Sequence, residues 1–121
     1  MKAEAAIWLS KAEEDLDAAR YNLAGCKYNV CVFLSQQAAE KALKALLIKK
    51  EGDLIRAHDL VLLARRLNAP KNILESSKEL APAYTYSRYP DMPEIKDIDI
   101  KSKIFIDYAE GIIKWVKKQL S

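Results

Sequence analysis

The spacing of the apolar side chains is the feature that most restricts how this 121-residue chain can fold. Steps of three and four residues place side chains on one face of an α-helix, whereas a half-buried strand needs strict alternation. The whole chain also contains only three glycines, which disfavours a turn-rich β architecture. The sequence therefore predicts an all-α fold. The first segment shows the helical spacing at Ala5, Leu9, Ala12, Leu16, Ala19 and Leu23.

Glycines mark the ends of the first two predicted helices. Gly25 is placed to end the first helix in a left-handed conformation, and the second helix runs from near Asn29 to Gly52. The connection between them is short, so the two helices are expected to be antiparallel. Small side chains on the second helix allow another backbone to approach it closely. The helix carries Cys31, Leu34, Ala38, Ala42 and Ala45 on one side.

The second half of the chain predicts three more helices and one long irregular segment. The third helix begins at His58 and the fourth spans residues 71–81. Pro82 closes the fourth helix, and the following residues up to position 99 hold no sustained helical period, so an ordered loop is expected there. The last helix starts after Asp97 or Asp99, either of which can cap it. The chain is thus predicted to be a single domain, an up-and-down bundle of about five helices with a four-helix core and a short helix.

Three polar residues of the second helix, Gln36, Glu40 and Lys44, follow one another at four-residue steps. Glu40 and Lys44 are in the favourable order for an ion pair along a helix, which contributes about 0.3 kcal/mol when it is exposed. The spacing is typical of a solvated helix surface. We therefore expect these residues on an exposed face.

Metal, cofactor and membrane functions receive no support from the residues. Cys26 and Cys31, with His58 as the only histidine, lack the four convergent ligands of a structural zinc, and buried helical thiols are the simpler expectation. No glycine-rich phosphate loop is present, and no apolar run approaches the roughly 18 to 20 residues of a membrane-spanning helix. The N-terminal residues do not resemble a signal peptide, so a cytoplasmic location is expected. The net charge of +3 permits phosphate-bearing partners without requiring them.

Three sequence blocks, residues 36–47, 56–60 and 87–91, occur in an order and spacing that resembles the HEPN family. This is the higher eukaryotes and prokaryotes nucleotide-binding domain, here in its minimal stand-alone prokaryotic form. The resemblance covers nearly the whole chain, and Trp8 and Ala12 of the first helix also fit it. It implies a helical bundle that usually dimerises and is often encoded beside a small nucleotidyltransferase, in a two-gene, toxin–antitoxin-like module.

Members of the HEPN family act as toxins, as RNA-cleaving enzymes or as nucleotide-binding modules. The ribonuclease members carry an arginine followed after four to six residues by a histidine, because the imidazole moves the 2'-hydroxyl proton and the guanidinium holds the phosphate. Here His58 is preceded by Arg56 and Arg20, neither at that spacing, so the motif is absent and an enzyme is not predicted. His58 remains a candidate acid or base. The alternative is that it caps or packs at the start of the third helix.

The segment at residues 87–91 and the tyrosines before it form the candidate ligand-binding site. Arg88 offers a rigid, planar guanidinium that suits a phosphate, and Tyr89 and Tyr86 offer aromatic faces on which a base can stack. Asp91 is the fourth candidate ligand-binding residue. The alternative is structural: Arg88 and Asp91 form a salt bridge that ties the loop down, while Tyr89 and Pro90 plug the open end of the core.

Three functions are compatible with these residues. The preferred one is a dimeric HEPN protein that partners a small nucleotidyltransferase and contacts nucleotide or RNA through its tyrosine-rich loop. The second is a divergent metal-independent ribonuclease that uses His58 with Arg56 or Arg88 on the phosphate. The third is a bundle that serves only as a protein-interaction surface.

Overall fold

The computed structural model describes residues 2–52 and 56–121 and contains no strand within them. Five helices have seven or more residues and one is a single turn, so the predicted all-α bundle is confirmed. The helices, in chain order, are α1 (Lys2–Ala24), α2 (Tyr28–Glu51), α3 (Leu60–Arg66), α4 (Lys71–Leu80), α5 (Ala83–Tyr86) and α6 (Ile98–Leu120).

Helix α2 lies at the centre of the bundle and contacts every other helix. From Ala38 to Ile48 all of its side chains except Lys41 are buried. A helix that is surrounded on all sides needs small and apolar residues around its whole circumference, which explains its alanine and leucine content. Long stretches of α1 and α6 pack along it. Even so, none of the helices in the described parts of the chain combines the length and apolar content needed to cross a membrane.

The turn between α1 and α2 differs from the prediction by one residue. The left-handed residue is Cys26, with φ of 60°, and not Gly25. The Lys27 N–H donates to the Asn22 carbonyl at 2.8 Å, which closes the end of α1 in a Schellman-type arrangement.

The two cysteines differ in burial. Cys26, in this turn, is exposed, so the expectation of a buried helical thiol is wrong for Cys26 and correct for Cys31. Burial raises the pKa of the Cys31 thiol above its ordinary value.

The ends of α2 and α3 follow from their cap residues. Gly52 adopts a left-handed conformation with φ of 74° and ends α2, as predicted. Asp59 caps α3, because its carboxylate accepts hydrogen bonds from the N–H groups of Val61 and Leu62 at 3.0 and 3.2 Å. Since Asp59 supplies this cap, His58 is not needed for it.

The segment before α6 is an ordered loop that contains one additional helical turn, α5. Ala83 anchors this turn in the core, where it is buried. Asp97 stands at the N-cap position of α6 in a left-handed conformation, but its side chain makes no capping hydrogen bond. Its backbone carbonyl accepts from the N–H groups of Ile100 and Lys101 instead. The predicted start of α6 is correct, and the predicted side-chain cap is wrong.

Candidate functional site

A buried ion pair lies in the middle of α2. The side chains of Glu40 and Lys44 are 4% and 6% exposed, and the Lys44 Nζ donates to the Glu40 Oε2 at 3.0 Å. The Gln36 Nε2 donates to the other carboxylate oxygen at 3.2 Å. The expectation that Gln36, Glu40 and Lys44 lie on an exposed face is therefore wrong, because neighbouring helices cover this face of α2. Trp8 of α1 covers the ammonium group, which lies 5.7 Å from its ring centroid.

The Glu40 carboxylate also fixes the orientation of His58. The His58 Nδ1 lies 3.1 and 3.2 Å from the two Glu40 oxygens. An ionised carboxylate can only accept, so Nδ1 carries a hydrogen and donates it, and in the neutral form of the ring Nε2 is then the nitrogen without a hydrogen. The His58 side chain is 58% exposed. It stacks on Tyr84 with a centroid distance of 4.6 Å and an interplanar angle of 17°.

Arg88 lies against the same tyrosine. Its guanidinium carbon is 4.6 Å from the Tyr84 ring centroid, 5.5 Å from that of Tyr89 and 5.7 Å from that of Phe33. We call these three rings the aromatic cluster. The His58 ring and the Arg88 guanidinium thus both pack on Tyr84, each 4.6 Å from its ring centroid. Cation–π contacts hold the guanidinium while leaving its N–H donors available.

The predicted salt bridge between Arg88 and Asp91 is not formed, and within residues 2–52 and 56–121 no carboxylate pairs with Arg88. Tyr89 is 48% exposed and Pro90 is also exposed, so neither plugs the end of the core. The structural alternative for this segment is therefore wrong in both of its parts. Arg88 is tied to the bundle by aromatic rings and not by an ion pair.

Three of the four predicted ligand-binding residues line one groove. The groove has a volume of about 410 Å³, and Tyr86, Arg88 and Tyr89 form part of its wall. Asp91 lies in the adjacent turn, exposed to solvent and outside the groove lining. The groove therefore presents one guanidinium and two exposed aromatic rings, with the Glu94 carboxylate also in its lining. In the described part of the chain, no three histidine, cysteine or carboxylate side chains converge as a metal site would require.

Phe33 and Glu40 belong to this site, although sequence reasoning did not select them. Both lie on α2, and with Gln36 they occupy one face of it at three- and four-residue steps. The signal that could have found Glu40 is a set of polar residues inside a helix that is rich in alanine and leucine, and no such signal marks Phe33. Such polar residues are either exposed or paired, and here they are paired.

Comparison with known proteins agrees with the sequence resemblance. The model of the HEPN domain matches residues 5–119. The chain belongs to the HEPN family. An archaeal HEPN homologue of known structure is 37% identical, with a TM-score of 0.81 over 97% of this chain and 98% of that chain. A Thermus thermophilus protein is 27% identical, with a TM-score of 0.86 over 95% and 97% of the two chains. An HEPN domain protein from Thermotoga maritima is 26% identical, with a TM-score of 0.75 over 92% and 94%. No functionally curated protein matches the chain.

This HEPN domain lacks the linear arginine-to-histidine spacing of the ribonuclease members. Folding nevertheless places Arg88, thirty residues after the histidine, against the tyrosine on which His58 stacks. The two groups thus share one aromatic neighbour, with the arginine after the histidine in the sequence. Arg56, the other arginine considered with His58, has no ring contact of this kind within the described residues.

Proposed function

We propose that this HEPN domain binds a nucleotide or a strand of RNA through Arg88 and the exposed tyrosines Tyr86 and Tyr89. The observation that carries this proposal is a guanidinium that three rings hold in place and that no carboxylate of the described residues neutralises. Arg20 and Arg66, by contrast, are paired with Glu110 and Glu51. An unpaired and oriented guanidinium is suited to a phosphate, which it can bind with two parallel hydrogen bonds.

The rings supply the second half of the recognition. Tyr89 and Tyr86 present exposed faces in the groove that Arg88 lines, and bases of unpaired nucleotides stack on such faces. Stacking tolerates any base, since every base has a π-face. The expected ligand is therefore a single-stranded or mononucleotide ligand, recognised by its phosphate and one base. A duplex, whose bases are already stacked, fits this arrangement poorly.

Thermal unfolding of the purified protein with and without nucleotides tests the proposal. A ligand at about 100 times its dissociation constant raises the free energy of unfolding by about 2.7 kcal/mol. For a domain of this size the melting temperature should then rise by on the order of 10 °C. We expect this rise with nucleoside phosphates and a smaller one with nucleosides, which lack the phosphate. No rise with any nucleotide or single-stranded RNA would favour a bundle used only for protein interactions.

The proposal also includes a partner and an assembly. We propose that the protein is a homodimer and that it works with a small nucleotidyltransferase from a neighbouring gene, in a toxin–antitoxin-like pair. Membership of the HEPN family supports this part. Co-expression of the two genes with an affinity tag on one protein tests it. We expect the untagged protein to co-purify with the tagged one in a fixed molar ratio. If the untagged protein is removed when the affinity column is washed, the proposed partnership is contradicted.

A specific observation favours cleavage of RNA as a second candidate function. Glu40 accepts a hydrogen bond from the His58 Nδ1, which leaves Nε2 as the basic nitrogen on an exposed ring. This is the arrangement of a general base oriented by a carboxylate, and in this candidate function Arg88, which packs on the same tyrosine as His58, holds the phosphate.

The cleavage activity can be measured with labelled single-stranded RNA in the presence of a metal chelator. If the protein cleaves RNA, His58→Ala should lower the rate by about 10²–10⁴-fold, the usual contribution of a general base. His58→Ala removes an exposed ring, so the melting temperature should change little. Intact RNA after long incubation with the unaltered protein would dismiss this candidate and leave binding as the function.

A further inference from the structure

A second cavity of about 410 Å³ opens beside the Arg88 groove, between α5, the segment at residues 93–96 and α6. Phe105 and Ala83 are its most buried lining residues, and Tyr86, Tyr108 and Ile104 also line it. The Phe105 and Tyr108 rings lie 6.2 Å apart between centroids, tilted by 34°. Cavities of this size with an aromatic lining and a few polar groups are the usual form of small-molecule sites.

Four charged side chains line the cavity: Glu79, Glu94, Lys96 and Lys101. None of them forms an ion pair with another described residue. Two carboxylates and two ammonium groups therefore surround an apolar interior with their hydrogen-bonding capacity unused by the protein. A charge-balanced rim of this kind suits a neutral group that offers both donors and acceptors.

The cavity adjoins the Arg88 groove. Tyr86 and Glu94 line both, so the two spaces share a wall. A ligand with its phosphate at Arg88 can therefore extend past Tyr86 into the cavity without leaving the surface. Because the charges at the rim balance, the cavity offers a phosphate no net attraction, so the part of the ligand that enters is an uncharged one.

We propose that this cavity receives the base of a second nucleotide, which makes the preferred ligand of the Arg88 site a single strand of two or more nucleotides. The inference rests on the proposed function. Aromatic side chains of the cavity stack on the base, and Lys96 and Lys101 at the rim contact the phosphate backbone. Glu79 and Glu94 accept hydrogen bonds from exocyclic amino groups, which adenine and cytosine carry and uracil lacks.

Binding of AMP and of the dinucleotides pApA and pUpU, measured by calorimetry, tests this inference. The unaltered protein should bind pApA at least about tenfold more tightly than AMP, since stacking a second base typically contributes that much. The gain for pUpU should be smaller. Ile104→Asp, which places a charge in the cavity lining, should bring the ratio of the two dissociation constants, for AMP and pApA, close to one.

Ile100→Asp is the matched control. Ile100 lies one turn before Ile104 on α6 and is 58% exposed against 40%, but it does not line the cavity. The ratio should keep its original value in this variant, and equal melting temperatures of the two variants would show that both are folded.

Equal affinities for AMP and pApA in the unaltered protein, or an unchanged ratio in Ile104→Asp, would overturn the inference while leaving AMP binding at Arg88 intact. If neither AMP nor pApA binds, the proposed function itself fails.

Discussion

Replacing Glu40 with alanine is expected to lower the free energy of unfolding by about 3–5 kcal/mol, because it leaves the Lys44 ammonium buried without its counter-charge. The Lys44 side chain is 6% exposed, and its Nζ is 3.0 Å from the carboxylate that the change removes. The Gln36 amide and the His58 Nδ1 lose the same acceptor. For a domain of this size the melting temperature should fall by on the order of 10–20 °C. Urea unfolding followed by circular dichroism measures the loss.

Removing both charges together separates the cost of an unpaired charge from the contribution of the pair. In the double variant Glu40→Met with Lys44→Met, the two flexible apolar side chains replace the ion pair with similar volume. We expect this variant to recover most of the loss seen in Glu40→Ala, since buried pairs contribute little over apolar packing. A double variant as unstable as the single one would show that the carboxylate stabilises the bundle through Gln36 and His58 instead. A loss below about 1 kcal/mol in the single variant would mean that water reaches Lys44.

The sequence predicts the helices well because their signals are local. The spacing of apolar residues in α1 and the left-handed Gly52 each involve residues within one or two turns of one another. The Cys26 turn shows the limit of such signals. A glycine fits the left-handed position best, but Cys26 adopts it one residue later because the α1 hydrogen bonds continue to that point.

The environment of α2 could not be predicted from its own residues. The four-residue spacing of Glu40 and Lys44 is the same whether the face is exposed or covered, and it indicates an ion pair in either case. Exposure depends on how many helices surround α2, which is a property of the assembled bundle. The spacing therefore predicted the pair correctly and its burial wrongly.

The candidate site depends on contacts between distant parts of the chain. Tyr86, Arg88 and Tyr89 are close in sequence, so their shared groove could be expected. Phe33 on α2 and His58 before α3 join them only because the α5 turn directs Tyr84 back onto the bundle. The residues of the segment were thus predictable, and the rings that hold Arg88 from α2 were not.

Arg88→Ala should weaken the binding of a nucleoside phosphate by about 10- to 100-fold, the usual effect of losing charge-assisted hydrogen bonds to one anion. The fold should be nearly unaffected. Arg88 is exposed and its contacts within the protein are with ring faces, each of which contributes about 1 kcal/mol or less at such a position. Calorimetric titration measures the affinity, and the melting temperature without ligand measures the stability.

Two further variants separate a bound phosphate from general electrostatic attraction. Arg65→Ala removes an exposed arginine of α3 that makes no ion pair within the described residues, so it lowers the net charge equally and should leave the affinity unchanged. Arg88→Lys keeps the charge but loses the planar fork and its stacking, and should recover only part of the binding. Equal losses in Arg65→Ala and Arg88→Ala would show that only net charge matters. Arg88→Ala could instead lower the melting temperature by many degrees and leave the affinity unchanged. The contacts of Arg88 with the aromatic cluster would then serve to stabilise the fold, because a guanidinium that binds phosphate must affect affinity more than stability.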